Sequence, residues 1–307
     1  MNPKIFKGIK NPYYGCELVL NRFAKYIDDE KFVKWKYFLN FRKKLDLENP
    51  QTFNEKLQWL KLYDRHEEYT QMVDKYEVKK YIADLIGNQY IIPTFGVYDS
   101  FDEIDFAQLP NQFVLKCTHN SGGIIICRDK ASLDIPRARK QMTKWLKKNP
   151  FWTNREYPYK NVKPRIIAEQ YMEQEDGESL RDYKVLCFNG KAKLIELHRF
   201  RYTHKQTQDF YDTEWNKTTI SQGGGFVDVS TELFPKPENL DEMIVSSEKI
   251  CADMIHCRAD WYSIRGKLYF GEITFFDGSG LDAFDNIEDD FLLGSWIVLP
   301  NWNKNNK

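Results

Sequence analysis

One pair of predicted strands near the end of the chain, residues 257–275, most constrains what the chain can form. Successive side chains of a strand point to opposite faces, so Arg258 and Asp260 share one face of the first strand. Glu272 and Thr274 share a face of the second strand, and hairpin pairing can bring that face beside the first. The hairpin therefore predicts two carboxylates, a guanidinium and a hydroxyl on one patch of a half-buried sheet.

The polar patch on this hairpin has two interpretations. Oxygen ligands of this kind suit Mg²⁺ held against phosphate groups, and an arginine can neutralise phosphate charge. Asp277 follows Glu272 closely enough to approach the same metal. The alternative is a surface ion pair across the two strands, between Arg258 and Glu272. The hairpin alone does not decide between them.

The charge balance of the chain argues against a nucleic-acid partner. The chain has 307 residues, enough for one large domain or two intertwined subdomains. Its 45 lysines and arginines equal its 45 aspartates and glutamates. A surface that binds nucleic acid normally leaves a basic excess, so we expect no nucleic acid among the partners.

The sequence also predicts a cytoplasmic protein without a transmembrane segment. Residues 1–8 lack the apolar core of a secretory signal, and the longest apolar run, 291–300, is too short to cross a bilayer. The six cysteines show no paired Cys-x-x-Cys spacing, so we interpret them as buried free thiols in a reducing compartment. Cys117 and Cys127 could flank one hairpin, which leaves a disulfide between them as an alternative.

Helices and hairpins alternate along the chain, and antiparallel connections dominate. This order predicts an α+β fold rather than a doubly wound one. Asn189 and Gly190 supply the two positive-φ positions of a type I′ turn, so the hairpin around them is the strongest of these predictions. The predicted helices lie at 1–50, 52–60, 74–85, 135–148 and 241–255. The predicted strands lie at 90–98, 165–172, 183–188 and 191–200, with two more around a small polar loop within 113–127.

A small glycine-containing loop follows a predicted strand in the middle of the chain. Lys116 lies near the end of that strand, and the loop consists of His119, Asn120, Ser121, Gly122 and Gly123. Glycines let backbone N–H groups approach phosphate closely, and a lysine supplies a positive charge. The loop matches neither the Walker nor the dinucleotide-binding pattern. An ordinary hairpin turn is the more common structure for such a sequence.

Two further segments contain candidate nucleotide contacts. Lys75 follows Asp74 at a helix start, where the aspartate could be an N-cap and the lysine a solvated side chain. The strand at 165–172 could present Glu169 and the next backbone groups, of Gln170, Tyr171 and Met172, to an adenine edge. Ribose hydroxyls would then lie near an acidic loop that contains Glu173, Glu175 and Asp176. The alternative is an edge strand that runs into a solvated loop.

The remaining candidates lie on the hairpin that follows. Asp182 and Lys184 share a face, so Lys184 could contact phosphate or simply pair with Asp182. Arg199 and Arg201 are predicted to share a face of the strand that ends at Arg201, where a guanidinium suits a substrate carboxylate. Cross-strand ion pairs are the competing interpretation. The loop at 222–226 is a further candidate contributor to the substrate cavity, or a flexible connector.

The order of these motifs resembles that of the ATP-grasp superfamily, in which two α+β subdomains clasp ATP between antiparallel sheets. More closely, roughly residues 50–300 look like the teichuronopeptide-biosynthesis (TupA-like) ATP-grasp family. Its bacterial members are associated with capsule, cell-wall and other surface polysaccharides, and some are labelled glycosyltransferases. The segments that carry the resemblance are FNEKLQWL (53–60), FVLKCTHNSGG (113–123), DYKVLCFNG (182–190), FYDTEW (210–215) and YFGEITF (269–275).

The resemblance implies three domains and two cofactors, ATP and Mg²⁺. A helical N-terminal segment would occupy 1–70, and the two ATP-grasp subdomains would occupy 71–165 and 166–307. Lys75 and Lys116 would contact ATP phosphates, under the loop at 119–123. Lys184 would be a further phosphate contact.

The resemblance also implies where adenine and metal bind. Glu169 and its neighbours would hold adenine, and Asp182 would be a further nucleotide contact. Asp260, Glu272 and Thr274 would bind Mg²⁺. Arg258 would face the transferring phosphoryl group, as a catalytic residue together with Lys116. Thr274 stands where many ATP-grasp ligases have asparagine, and its hydroxyl can coordinate Mg²⁺ or hold a water of its shell.

The reaction implied is that of an ATP-dependent carboxylate–amine ligase that acts through an acyl phosphate. The implied substrates are a uronic-acid-containing glycan and an amino acid, with possible association with polysaccharide assembly machinery. A glycosyltransferase that uses a nucleotide sugar is the alternative enzyme. A sugar kinase and a nucleotide-binding scaffold without catalytic activity also fit the motifs.

Overall fold

A computed structural model of the chain describes residues 13–174, 179–201, 203–222 and 227–300. The described part begins with helices α1 (Tyr14–Arg22) and α2 (Asp29–Phe41), which confirms the predicted helical N-terminal segment. The carboxylate of Asp28 caps α2 by accepting two backbone N–H groups. Arg42 adopts a left-handed conformation with φ of 59°, and α2 ends there rather than at the predicted residue 50.

Three helices follow before the first strand. Helix α3 begins at a capping box, in which Thr52 and Glu55 each accept the other's backbone N–H. Its apolar face, formed by Phe53, Leu57 and Leu60, lies in the main core. The bounds of these helices are α3 Phe53–Tyr63, α4 Tyr69–Val73 and α5 Glu77–Ile86.

The first sheet has four antiparallel strands in the order β1-β4-β2-β3. Its chain-order elements are β1 (Thr94–Tyr98), β2 (Phe113–Cys117), β3 (Ile124–Cys127), helix α6 (Ile135–Leu146), helix α7 (Phe151–Asn154) and β4 (Ile166–Gln170). Helix α6 covers this sheet, with Ala138 and Met142 packed in a small core against Phe113 and Leu115. Cys117 and Cys127 are buried free thiols, so the alternative of a disulfide between them is wrong. In the hairpin register Cys127 lies opposite Phe113, at the far end from Cys117.

The second sheet has five antiparallel strands in the order β7-β6-β5-β8-β9. Asn189 and Gly190 adopt φ of 48° and 77°, which confirms the type I′ hairpin between its first two strands. The elements in chain order are β5 (Asp182–Phe188), β6 (Lys191–Arg199), β7 (Thr207–Tyr211), helix α8 (Leu240–Ile250), β8 (His256–Ile264), β9 (Lys267–Thr274) and helix α9 (Ile287–Trp296).

The two faces of the second sheet differ in chemistry. Helix α8 packs on one face, where Trp261 donates a hydrogen bond to Ser247 at 2.8 Å. The opposite face carries the charged side chains of β5, β6, β8 and β9, because polar and apolar residues alternate along these strands. The predicted α+β fold with two antiparallel sheets is confirmed.

The domain boundaries predicted at 70/71 and 165/166 stay a prediction. The first sheet includes β4, which follows the second of these boundaries. Among the residues described, no helix combines the length and the apolar character that a membrane span requires.

Candidate functional site

A cleft between the two sheets brings together side chains from both. Its empty volume is about 860 Å³, which includes space open to solvent. One wall comes from α5, the loop after β2 and the first sheet, and the other from β5, β8 and β9. The polar lining residues are Lys75, Lys79, Lys116, Asn120, Ser121, Gly122, Gly123, Glu169, Asp182, Arg201, Asp260 and Glu272; Val78, Ile91, Ile92, Ile124, Tyr262 and Phe270 supply apolar surface.

Asp74 and Lys75 fix the start of α5 against the first sheet. The carboxylate of Asp74 accepts the backbone N–H groups of Tyr76 and Glu77 and binds Arg165 at 2.9 Å, although the N-cap position of α5 is Tyr76 rather than Asp74. The backbone N–H of Lys75 donates to the carbonyl of Thr118 at 3.1 Å. The side chain of Lys75 is thereby directed into the cleft.

An ion pair joins the two walls of the cleft. The ammonium of Lys75 lies 2.6 Å from the carboxylate of Glu272 on β9. Burial opposes charge on both groups, but Glu272 holds the pKa of Lys75 above its ordinary value. Lys75 and Lys184 likewise outweigh burial and hold the pKa of Glu272 well below its usual range. Both side chains are therefore charged at neutral pH.

Glu169 is shared by two lysines on the other side of the cleft. Its carboxylate lies 2.7 Å from the ammonium of Lys116 and 2.5 Å from that of Lys79. Burial alone would raise the pKa of Glu169, but the two lysines lower it to about 2. Lys79 was not predicted from the sequence. Its spacing of four residues from Lys75, in the helix predicted at 74–85, was the available signal, because residues four apart in a helix share a face.

The loop after β2 is closed by backbone and side-chain hydrogen bonds. The backbone N–H of Cys117 donates to the carbonyl of Gly123, and the N–H of Gly123 donates to the side chain of Asn120 at 3.1 Å. Gly122 has φ of +84°, and a Cβ added there would meet nothing within 4 Å. Its backbone therefore borders open space in the cleft.

The structure places His119 away from the cleft lining. It is buried, and its Nε2 lies 2.9 Å from the carbonyl oxygen of Lys148. Burial lowers the pKa of the imidazole. Gln170, the last residue of β4, is exposed, and the hydroxyl of Tyr171 accepts a hydrogen bond from Arg128 at 3.2 Å. Gln170, Tyr171 and Met172 are not among the residues that line the cleft, and their predicted contact with adenine, like that of His119 with ATP, stays a prediction.

The polar patch predicted on the late hairpin is formed. Thr274 lies opposite Arg258 in the register, and its hydroxyl accepts a hydrogen bond from Arg258 at 3.2 Å. The guanidinium binds both carboxylate oxygens of Asp260, at 2.8 and 2.9 Å, and also contacts Asp277. Burial opposes the charge, but these two carboxylates hold the pKa of Arg258 well above its ordinary value. The patch is buried, so a surface pair between Arg258 and Glu272 is not the arrangement that forms.

Lys184 links the two predicted acidic residues beside it. Its ammonium lies 2.9 Å from Asp260 and 3.3 Å from Asp182. Burial and Arg258 lower the pKa of Lys184, but the two carboxylates outweigh them and raise it. Asp182 also binds Arg201 at 2.6 Å. Lys184 is therefore a partner of both aspartates.

Arg199 and Arg201 do not share a strand face, so that prediction is wrong. Phe200 has φ of 51°, a left-handed conformation, and β6 ends at Arg199. Arg201 consequently turns to line the cleft. The guanidinium of Arg199 lies over the ring of Phe200, 4.8 Å from its centroid, and over that of Phe234 at 4.7 Å.

A buried acid on β6 was not predicted either. Glu196 contacts His198, accepts a hydrogen bond from Gln208 at 2.6 Å and lies 3.9 Å from Arg258. Its signal in the sequence was a carboxylate that lies among apolar residues in the middle of a strand.

Some candidate site residues of the sequence analysis, at positions 175, 176 and 223–226, lie outside the described residues.

The donor set of the cleft fits both groups that the sequence implied. The backbone N–H groups of the glycine-containing loop and the ammonium groups of Lys75 and Lys116 suit phosphate oxygens. Asp260 and Glu272 reach the cleft from neighbouring strands, and Mg²⁺ in nucleotide sites takes one or two carboxylates and completes its shell with phosphates and water. In the described ranges no three His, Cys, Asp or Glu side chains form a metal-binding group by themselves. The residues thus fit a metal that arrives with a nucleotide.

Comparison with known proteins identifies a family. A model of the TupA-like ATPgrasp family matches residues 55–298. No curated protein matches the sequence.

Solved structures that resemble the chain include two ligases and a synthetase. A D-alanine–D-alanine ligase from Bacillus anthracis, complexed with ATP, is 15% identical over 66% of this chain and 55% of its own, with a TM-score of 0.40. The ligase from Helicobacter pylori is 16% identical over 80% and 69%, with a TM-score of 0.38. An N5-carboxyaminoimidazole ribonucleotide synthetase in complex with ADP is 13% identical over 80% and 56%, with a TM-score of 0.44. The chain spans little more than half the length of the Bacillus anthracis ligase.

Proposed function

The chain belongs to the TupA-like ATP-grasp family, and from this premise we propose that it is an ATP-dependent carboxylate–amine ligase. The observation that supports the proposal most strongly is the pairing of opposite charges across the cleft. Lysines and a glycine loop line one wall, and the carboxylates of Asp260 and Glu272 reach it from the other. A nucleoside triphosphate with a bound metal requires positive groups and backbone N–H groups for its phosphates, and carboxylates for the metal.

On the first wall, Lys75 and Lys116 bind ATP phosphates in this proposal. Each lysine has a carboxylate partner in the structure, Glu272 for Lys75 and Glu169 for Lys116, so each is held in place before the nucleotide arrives. The backbone at Ser121, Gly122 and Gly123 lies beside them for close approach of phosphate oxygens. Val78, Ile91, Ile92, Ile124 and Phe270 supply the apolar surface that an adenine ring requires.

On the second wall, Asp260 and Glu272 would hold Mg²⁺, and Thr274 lies on the same strand as Glu272. A bound Mg²⁺ would neutralise charge on the phosphates during transfer. Arg258 keeps the carboxylate of Asp260 in a fixed orientation through two hydrogen bonds. Its position next to that carboxylate supports its role beside the transferred phosphoryl group. With Mg²⁺ bound, Glu272 would serve as its ligand, and the ammonium of Lys75, which pairs with Glu272 in the structure, would bind phosphate instead.

The proposed reaction has two steps. A carboxylate oxygen of the first substrate attacks the γ-phosphorus of ATP, and ADP leaves. An amine of the second substrate then attacks the acyl carbon, and phosphate departs with that carboxylate oxygen. The protein contributes positioning and charge neutralisation, since phosphoryl transfer needs little covalent chemistry from it.

We further propose that the substrates belong to cell-surface polysaccharide biosynthesis, such as a uronic acid and an amino acid. Arg201 is the residue that supports an acidic substrate. It lines the cleft on the side of Asp182, and a guanidinium there can bind a carboxylate that lies beyond the phosphates.

A screen for ADP formation tests the proposed function. The purified protein is given ATP, Mg²⁺ and pairs drawn from a panel of sugar acids and amino acids. We expect ADP to form only when a carboxylate and an amine substrate are both present. Glu272→Gln should abolish that turnover, whereas Glu232→Gln, on an exposed carboxylate, should not change it. Unchanged turnover in the Glu272→Gln enzyme, or consumption of a nucleotide sugar instead of ATP, would refute the proposal.

A further inference from the structure

The N-terminal helices carry an exposed apolar surface that lies before residue 55, where the family match begins. Val19 and Phe23 are 58% and 51% exposed, and Trp35 and Phe38 on α2 are 53% and 48% exposed. These four side chains line one groove with Ile27 and Leu39. This surface is called the N-terminal groove below.

Exposed apolar side chains are concentrated in this part of the molecule. Of the 18 large hydrophobic residues that stand exposed in the described ranges, seven fall within residues 13–38. Contiguous exposed apolar surface on a folded protein marks a site of interaction. The seven residues are Tyr13, Leu18, Val19, Phe23, Tyr26, Trp35 and Phe38.

The same segment carries a strong positive charge in a chain whose net charge is zero. Residues 1–44 contain 11 lysines and arginines and four aspartates and glutamates, a net charge of +7. The remaining residues, 45–307, contain 34 basic and 41 acidic residues, a net charge of −7. The positive and negative parts of the chain cancel in the whole-chain composition, which therefore hides the basic character of the N-terminal sequence.

Basic and aromatic side chains lie together along one stripe of α2. Lys31, Trp35 and Phe38 follow each other at spacings of four and three residues, so they lie on the same side of the helix, and Arg42 follows at its C-cap. Lys31 is exposed at one end of this stripe, and Lys25 is exposed beside Phe23. Positive charge thus borders the N-terminal groove.

We propose that the N-terminal groove docks the protein on a bilayer surface rich in anionic phospholipid. Aromatic and aliphatic side chains of α1 and α2 enter the headgroup region, and the bordering lysines and arginines contact lipid phosphates. Tryptophan and tyrosine favour the membrane interface because their rings are apolar and their polar atoms stay hydrated. A protein partner fits less well, since lysine is depleted at protein–protein interfaces.

Sedimentation of the full chain with lipid vesicles tests this docking. We expect binding to vesicles of phosphatidylglycerol and phosphatidylethanolamine, weaker binding in high salt, and little binding to pure phosphatidylcholine. Lys25→Glu with Lys31→Glu should lower partitioning about 25-fold or more, from about fivefold for each positive charge lost. Lys249→Glu, at an exposed lysine on α8, is the matched control and should change binding little.

A second pair of variants separates the apolar contribution. Trp35→Ser with Phe38→Ser should abolish vesicle binding, while Leu233→Ser, at a side chain 78% exposed elsewhere, should leave it unchanged. Circular dichroism and ATP titration of each variant establish that the fold and the cleft are intact, so the docking and the proposed ligase are tested separately. Equal partitioning of the lysine variants and the wild type would overturn the proposal. The proposal would also be overturned if the wild type self-associated and did not bind vesicles, and if Trp35→Ser with Phe38→Ser removed that self-association. A second copy of the chain would then cover the N-terminal groove.

Discussion

Replacing Glu169 by glutamine removes the carboxylate that Lys79 and Lys116 share in the cleft. The glutamine keeps the size of the side chain and a carbonyl acceptor, so the change is mainly one of charge. Folding lowers the pKa of Glu169 from 4.5 to about 2. At about 1.4 kcal/mol for each pKa unit, this shift corresponds to about 3 kcal/mol of stability at neutral pH.

Part of that stabilisation is offset at the partner. Burial lowers the pKa of Lys79 although Glu169 acts in the opposite direction, so the charged lysine is itself costly in the folded state. We therefore expect Glu169→Gln to lower the free energy of unfolding by about 2 to 3 kcal/mol at pH 7. Glu232→Gln, at an exposed carboxylate, should change it by less than about 0.5 kcal/mol.

The lowered pKa of Glu169 also predicts how the effect of Glu169→Gln on stability changes with pH. Because the pKa of Glu169 is lowered in the folded state, its contribution is complete above pH 4.5 and disappears as the pH falls toward 2. Urea unfolding of the wild type and the Glu169→Gln variant at pH 7 and pH 3 measures the difference. The difference in free energy of unfolding between the two proteins should fall at pH 3 to about half its value at pH 7. A difference that is the same at both pH values, or below about 0.5 kcal/mol at pH 7, would refute the reasoning.

Three further predictions concern other parts of the site. Gly123→Ala should weaken ATP binding about tenfold in calorimetric titration, because the added Cβ would lie 2.5 Å from the side-chain oxygen of Asn120 and displace the loop; an unchanged dissociation constant would contradict this. Burial lowers the pKa of Lys61 from 10.5 to about 7, so the wild type should gain about 3.5 kcal/mol of stability between pH 7 and 10, and Lys61→Met should lose that pH dependence in urea unfolding. Asp260→Asn should destabilise the protein by about 3 kcal/mol, since it leaves the buried guanidinium of Arg258 underpaired, and should also abolish ADP formation; wild-type turnover in this variant would exclude the proposed metal site.

Local signals were sufficient to predict the late hairpin and the central one. Side chains two residues apart in a strand lie on the same face, which places Arg258 and Asp260 together on β8. The pairing of β8 with β9 places Thr274 opposite Arg258. The positive-φ preference of Asn189 and Gly190 fixed the turn between β5 and β6. Such features depend only on neighbouring residues, so a single sequence contains them.

Features that depend on contacts between residues far apart in the chain could not be predicted from the sequence in this way. The side chain of Lys79 matters because it meets Glu169, 90 positions later, and only the pairing of the first sheet with α5 brings them together. The end of β6 depends on a left-handed conformation at Phe200, a residue type that gives no such signal. His119 lies in the predicted loop, but the contact with Lys148 that turns it away comes from the segment after α6.

The path of one oxygen atom tests the proposed ligase most directly. A carboxylate substrate that supports ADP formation is labelled with ¹⁸O in its carboxyl group, and the inorganic phosphate released with the amine substrate is analysed by mass spectrometry. A reaction through an acyl phosphate transfers one labelled oxygen to phosphate in each turnover, and this is the result we expect. Unlabelled phosphate, with both labelled oxygens retained in the product, would contradict the account and indicate that ATP phosphorylates a different group.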